Sequence, residues 1–304
     1  MRNLRCPVST NQWLATVERP FWQLWDTYPT VGSTGRRSIA ILFRRYAGRN
    51  AGSSMATEST ALGILSPRKQ RAPTVRLFFV ALSIVFVVVA ALGFGPNQLD
   101  HIAGTLSISI FGQSHGVLMV AWLLTFVTQA AFAAKGRMDL HRRLGTYGIG
   151  LGVAVWLSVV ALTIRALTDA GVPLEKRIDN SVGSLYVVVV FLLLFVMAIR
   201  FRTNPPWHKR FLAIATVALL QAAVDRFRWL PSMATGYWPQ VACLDALLAL
   251  LAGFDVTLLK RIHPATLVGG GILLGGQSVV AVLYGADWWP PLTVRLAQTL
   301  RHLF

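Results

Sequence analysis

The chain has 304 residues, of which 54% are hydrophobic and 13% charged, with a formal net charge of +17 and a mean hydropathy of +0.55. A soluble domain carries roughly 25% charged residues, so this composition excludes an ordinary water-soluble fold and points to a lipid environment. The two cysteines, Cys6 in a basic segment and Cys243 inside an apolar run, exclude a CxxC metal pair and argue against a disulfide.

Residues 1–74 form a basic N-terminal arm. Its first 54 residues are Arg-rich, with scattered aromatics (Trp13, Phe21, Trp22, Trp25, Tyr28) and no sustained helical period. Arg36-Arg37 precedes an apolar run that stops at Arg44, too short for a twin-arginine signal. Two readings stand: a disordered arm lying along the cytoplasmic face, or a start of synthesis at Met55, from which Met55 to Arg76 makes a short polar lead into the first span.

Seven apolar runs follow: Leu77–Gly95, His115–Ala134, Leu144–Ile164, Val182–Ile199, Phe211–Ala223, Pro239–Leu259 and Pro264–Tyr284. A helix rises about 1.5 Å per residue against a hydrocarbon core of about 30 Å, so about twenty residues are needed to cross. The fifth run reaches that length only by continuing past Asp225 and Arg226 to about Leu230. Buried in lipid, backbone groups must pair within the segment, and these runs are too long and continuous for barrel strands. The expected fold is all-α, a polytopic bundle of seven transmembrane helices over residues 75–290, with a short tail at 291–304.

Charge placement sets the expected orientation. Residues 1–76 hold twelve Lys or Arg against three acids, and the link between spans one and two holds none. Lys135, Arg137, Arg142 and Arg143 follow span two, and Arg200, Arg202, Lys209 and Arg210 follow span four. Lys260 and Arg261 follow span six, while the link after span three balances three basic residues with three acids. Basic residues accumulate in cytoplasmic loops, so the N-terminus is expected inside and the C-terminus outside, in a bacterial inner membrane. The partner is then the bilayer. No basic stripe is interleaved with a base-stacking fold, and no nucleic-acid partner is expected.

On that topology the polar residues of the spans fall into two layers. His141, His208 and His263 open spans three, five and seven on the cytoplasmic side, with Asp255 about a turn inside span six. On the external side lie His115 at the start of span two, Gln221 and Asp225 late in span five, and Asp245 early in span six. His115, Trp122 and Gln129 recur every seven residues and share one helix face; Gln221 and Asp225, four apart, share another. Ionisable groups at membrane depth are costly and by default mark a site facing the bundle interior. Each has a plainer counterpart: His141 and His208 as interfacial anchors in basic collars, His263 as the cap of the helix begun by Pro264, His115 bonded to a nearby loop carbonyl, and the aspartates in ion pairs with an arginine such as Arg226. Gly269-Gly270-Gly271 and Gly275-Gly276 are read as close packing surfaces.

Several motifs taken together carry a resemblance: Phe94-Gly95-Pro96, His115-Gly116 with Trp122 and Gln129, the block from Gly136 to Gly145 (GRMDLHRRLG), His208-Lys209-Arg210, and Asp255 with His263-Pro264. Over about residues 76–290 the chain resembles a group of uncharacterised bacterial multi-spanning integral membrane proteins. The resemblance implies the fold and the choice of residues and leaves the chemistry open.

Three functional classes fit. A non-enzymatic ligand- or proton-handling or assembly protein would use the cytoplasmic histidine-centred site without catalysis. A b-type haem electron-transfer protein would ligate iron through imidazoles of two helices. A zinc-dependent membrane hydrolase would use His141, His208 and His263 as ligands and Asp255 as base or orienting group; its plan is similar to the adiponectin-receptor and haemolysin III-like hydrolases, whose paired HxxxH this chain lacks. Span seven has no lysine for a retinal Schiff base, and no Walker-type phosphate loop is present.

Overall fold

The computed structural model describes residues 67–169, 171–228 and 237–303; the expectations for residues 1–66, including a start at Met55, lie outside them. The described residues form helices and no strand: α1 (Pro67–Ile102), α2 (Ile110–Ala134), α3 (Met138–Thr168), α4 (Leu174–Arg200), α5 (Pro205–Leu219), the single turn α6 (Gln221–Val224), α7 (Tyr237–Leu259), α8 (Pro264–Tyr284) and α9 (Trp289–Leu303). Six of these, α1 to α4, α7 and α8, are long and apolar enough to cross a membrane. The protein is a multi-pass membrane helix bundle.

Local sequence sets the helix ends. Ser109 caps α2, its hydroxyl accepting from Gly112 N at 3.2 Å. Pro205 and Pro206 open α5, where a missing N–H costs nothing. The link between α2 and α3 turns on Gly136 at φ +72°, a left-handed conformation that glycine adopts without strain. Helix α1 runs on through Pro96, so the first span is longer than the apolar run from 77 to 95 that announces it. The tail is also helical: Leu292, Leu296, Leu300 and Leu303 of α9 recur at three- and four-residue spacing.

Consecutive helices from α1 to α8 pack as neighbours, α9 packs on α3 and α4, and α5 lies at the centre, touching α1, α4, α7 and α8. From Phe211 to Leu219 all its residues but Leu212 are buried. The surrounding helices leave an apolar stripe uncovered, such as Ile84, Val88 and Leu92 on α1 or Val189, Leu193 and Val196 on α4. In water such stripes would be a liability; in a bilayer they are the lipid face.

Small residues allow the close approaches that replace hydrophobic drive between helices in lipid. A Cβ on Gly93 would lie 2.1 Å from the carbonyl oxygen of Ala223, and one on Gly269 would lie 2.7 Å from Ile214. Gly276 faces Val190 and Tyr186 in the same way, whereas Gly271 and Gly275 have nothing within 4 Å.

The links at 135–137, 201–204 and 260–263 gather the basic residues at one end of the bundle, called here the basic end. The link after α1 and residues 225–228 lie at the far end.

Candidate functional site

At the basic end, Asp255 is fully buried and its oxygens are occupied. Arg210 of α5 donates Nε to Oδ1 at 3.1 Å and to Oδ2 at 3.2 Å, and Nη2 also donates to Oδ1. Thr266 Oγ1 of α8 donates to Oδ2 at 2.5 Å, joined by the backbone N–H of His263 at 3.2 Å. Arg210 is itself buried and gives Nη1 to Pro206 O at 2.9 Å. Asp255 therefore clamps α5, α7 and α8 together rather than serving as a base. Its partner is Arg210, which the sequence reading counted as part of a basic collar, and not Arg226.

His263 is likewise committed. Its Nδ1 accepts from Ala265 N at 3.0 Å, capping α8, and its ring meets Trp207 edge-on at 5.8 Å. Burial, with the Arg210 charge nearby, pulls its pKa down to about 4, so the ring is neutral at ordinary pH. Of the three histidines at this end, His141 and His208 line one cavity and His263 is not among its lining residues. Its imidazole is drawn to the first turn of its own helix, where an unpaired N–H needs an acceptor.

His141 and His208 line a cavity of about 80 Å³ with Gln129, Trp122 and Gly145. His141 Nδ1 lies 3.2 Å from Gln129 O, and His208 Nδ1 lies 2.8 Å from Ala198 O. A carbonyl only accepts, so each Nδ1 is the donor, and in the neutral tautomer this leaves the lone pair on Nε2. Gln129 Oε1 is buried without a hydrogen-bond partner.

The far end holds a larger space. A cavity of about 760 Å³ opens among α1, α2, α3, α4, the α5–α6 segment, α7 and α8. Its polar lining includes His115, Gln221, Asp225, Arg226 and Gln240, and its apolar walls include Met119, Val159, Val187 and Leu219. His115 Nδ1 pairs with Ser158 Oγ of α3 at 2.8 Å, across two helices and not with a loop carbonyl. Asp225 Oδ1 accepts from Gln240 Nε2 at 2.6 Å. Arg226 gives Nη1 to Ala222 O at 2.6 Å, lies 3.9 Å from Asp225 Oδ2 through the same nitrogen and sits over the Phe94 ring at 5.1 Å, lining the cavity. Gln221 Oε1 and the Tyr186 hydroxyl are buried without a partner, and both line a small space beside this cavity. Asp245 stands behind it, Oδ1 accepting from Gln277 Nε2 at 3.1 Å.

The stripe on α2 connects the two ends. His115 and Met119 face the large cavity, Gln129 faces the small one, and Trp122 fills the space between, buried edge-on against Phe191 and Phe195. Its Nε1 donates to Thr216 Oγ1 at 3.3 Å.

Sequence reasoning missed Arg210, Thr266, Ser158, Thr216 and Gln240 as parts of these networks. Gln240 and Thr216 carried a usable signal, being polar residues within apolar runs. Among the described residues, no three His, Cys, Asp or Glu side chains come together as a metal-holding group. In comparisons with known proteins, the chain matches no family model, no curated protein and no solved structure.

Proposed function

We propose that this protein binds a small amphipathic molecule within the membrane, at the far end of the bundle, and that it does so without catalysing a reaction on it. The carrying observation is the cavity of about 760 Å³, within the range of small-molecule sites at roughly 300–1,000 Å³. Its chemistry is divided. Arg226 and His115 offer nitrogen groups suited to an oxygen-bearing head, and the buried, unpaired Gln221 Oε1 offers an acceptor. The walls formed by Met119, Val159, Val187 and Leu219 suit an apolar body.

Seven crossings with an internal N-terminus belong to the same proposal. Residues 205–224 amount to about 30 Å of helix, and they run from Arg210 beside Asp255 at the basic end to Asp225 beside Gln240 at the far end. In a bacterial inner membrane the basic end would then face the cytoplasm, and the ligand cavity the outside. The resemblance to multi-spanning bacterial membrane proteins is compatible with this and adds no activity.

The haem and catalytic-zinc readings have less support. The cavity of about 760 Å³ has one histidine in its lining, His115, and the cavity with two histidines is about 80 Å³. A three-histidine zinc site loses His263 to the cap of α8.

The test is organic extraction and mass spectrometry of the detergent-purified chain, compared with Ala281→Trp, which places an indole in the large cavity, and with Arg226→Ala. A small amphipathic molecule is expected at near one per chain in the parent protein and several-fold less in both variants. Equal amounts in parent and Ala281→Trp, or none enriched in the parent, would refute the proposal.

A further inference from the structure

The small cavity at the basic end has a feature that the ligand proposal does not use. Two imidazoles from different helices, His141 of α3 and His208 of α5, reach one space of about 80 Å³. Each is held by a main-chain carbonyl at Nδ1, at 3.2 Å and 2.8 Å. Among the described residues no hydrogen bond takes up either Nε2. A carbonyl at Nδ1 fixes the tautomer, orients the ring and raises the basicity of Nε2, which is how ligating histidines are commonly prepared. Gln129 adds an amide oxygen to the same lining, buried and without a partner. The backbone carbonyl of Gln129 is also the group that holds His141, so one residue supplies both a positioning contact and a free acceptor.

A histidine serving only as an interfacial anchor would turn its ring toward headgroups and water. These two turn inward, and beside His141 the exposed Arg142 and Arg143 supply the interfacial charge. A volume of about 80 Å³ leaves room for an ion and one or two waters, taking about 30 Å³ for each water. It leaves no room for a porphyrin.

We propose that His141 Nε2 and His208 Nε2, with Gln129 Oε1, form a binding site for a single first-row divalent transition ion of the imidazole-preferring kind, its shell completed by water. Imidazole nitrogen suits zinc, copper, nickel and iron, and a neutral donor set with an amide oxygen disfavours magnesium and calcium. Binding forms two metal–nitrogen bonds from the Nε2 lone pairs of the neutral imidazoles and displaces water, and a ring that is protonated beforehand releases that proton to solvent. The ion would join α3 to α5 at the end where α2 and α4 supply the supporting carbonyls.

The experiment uses full-length protein purified in detergent, stripped with chelator, loaded with Zn²⁺ alone, passed through a desalting column and assayed for zinc by mass spectrometry. Cys6→Ser and Cys243→Ser are introduced throughout to remove thiol binding. About one zinc per chain is expected in this parent and in His302→Ala. His141→Gln and His208→Gln keep an N–H for the supporting carbonyl while removing the imidazole lone pair; each is expected to weaken binding at least tenfold, with Gln129→Leu weakening it less. Elution of the variants at the parent position on gel filtration shows that the bundle is intact. Absence of zinc from the parent overturns the proposal, as does full retention by the double His141→Gln, His208→Gln variant, which would mark the binding as adventitious. The outer-cavity ligand is measured separately by extraction, so the two readings fail independently.

Discussion

Asp255 and Arg210 illustrate how a charge becomes tolerable at membrane depth. The carboxylate accepts from Arg210, Thr266 and the His263 backbone, so neither charge is left unpaired. Removing one partner of a buried pair costs about 3–5 kcal/mol, whereas replacing both by apolar residues can be nearly neutral. Asp255→Leu or Arg210→Met should therefore lower the thermal unfolding midpoint in detergent strongly, and the two combined should recover much of the loss. If the double variant fell by the sum of the single losses, the pair would not be acting as a unit. His263 gives a pH prediction. Its ring takes up a proton at about pH 4 in the folded chain against 6.5 for the free side chain, because burial and Arg210 disfavour the cation. The unfolded chain thus binds more protons between these values, and stability contributed by the neutral ring is fully present above pH 6.5 and lost as pH falls toward 4. Asn also caps helices but does not titrate. The difference in midpoint between the parent and His263→Asn should accordingly shift in favour of the variant on going from pH 7.5 to pH 5; an unchanged difference would show that the ring is not held neutral by the fold.

At the scale of elements, small residues decide how closely helices meet, and the glycines divide into two kinds. A Cβ on Gly93 would strike the Ala223 backbone at 2.1 Å, where α1 meets α6, while one on Gly271 would meet nothing within 4 Å. Gly93→Ala should therefore reduce the amount of folded protein recovered by gel filtration, and Gly271→Ala should leave it unchanged or slightly higher through better helix propensity. Equal recovery of the two would deny the close approach. The spans were legible because continuous apolarity over about twenty residues has one explanation in a chain of this composition. The fifth was the hardest to read because its helix is interrupted: Leu220 N bonds both Thr216 O and Val217 O, tightening the turn before α6. Its central position also frees it from the need for a lipid-facing stripe. The α9 helix was missed although Leu292, Leu296 and Leu300 repeat at four-residue spacing, since attention to runs of span length passes over a short amphipathic segment. At the site, the inward face of α2 could be read from the seven-residue spacing of His115, Trp122 and Gln129. The cap role of His263 and the choice of Arg210 as partner depend on which helices touch, and a linear sequence with three histidines and several nearby arginines cannot distinguish them.

For the whole molecule, the two cavities give opposite consequences to opposite orientations. The basic end carries Lys135, Arg137, Arg142, Arg143, Arg202, Lys260 and Arg261, while the link from 103 to 109 at the far end has no lysine or arginine. Translocating the basic links would move seven positive charges against the bias that keeps such loops in the cytoplasm. We therefore expect an alkaline phosphatase fusion at the C-terminus to be active and one within residues 202–207 to be inactive, with a cytoplasmic fluorescent reporter giving the reverse pattern. The cavity lined by His115 and Arg226 would then admit its ligand from the outer side, and the His141–His208 pair would exchange its ion with the cytoplasm. Reversed reporter activities would exchange both assignments while leaving each site's geometry intact. Activity of the same sign at both positions would remove the α5–α6 segment, the only stretch lacking a helix of full spanning length, from the count of crossings.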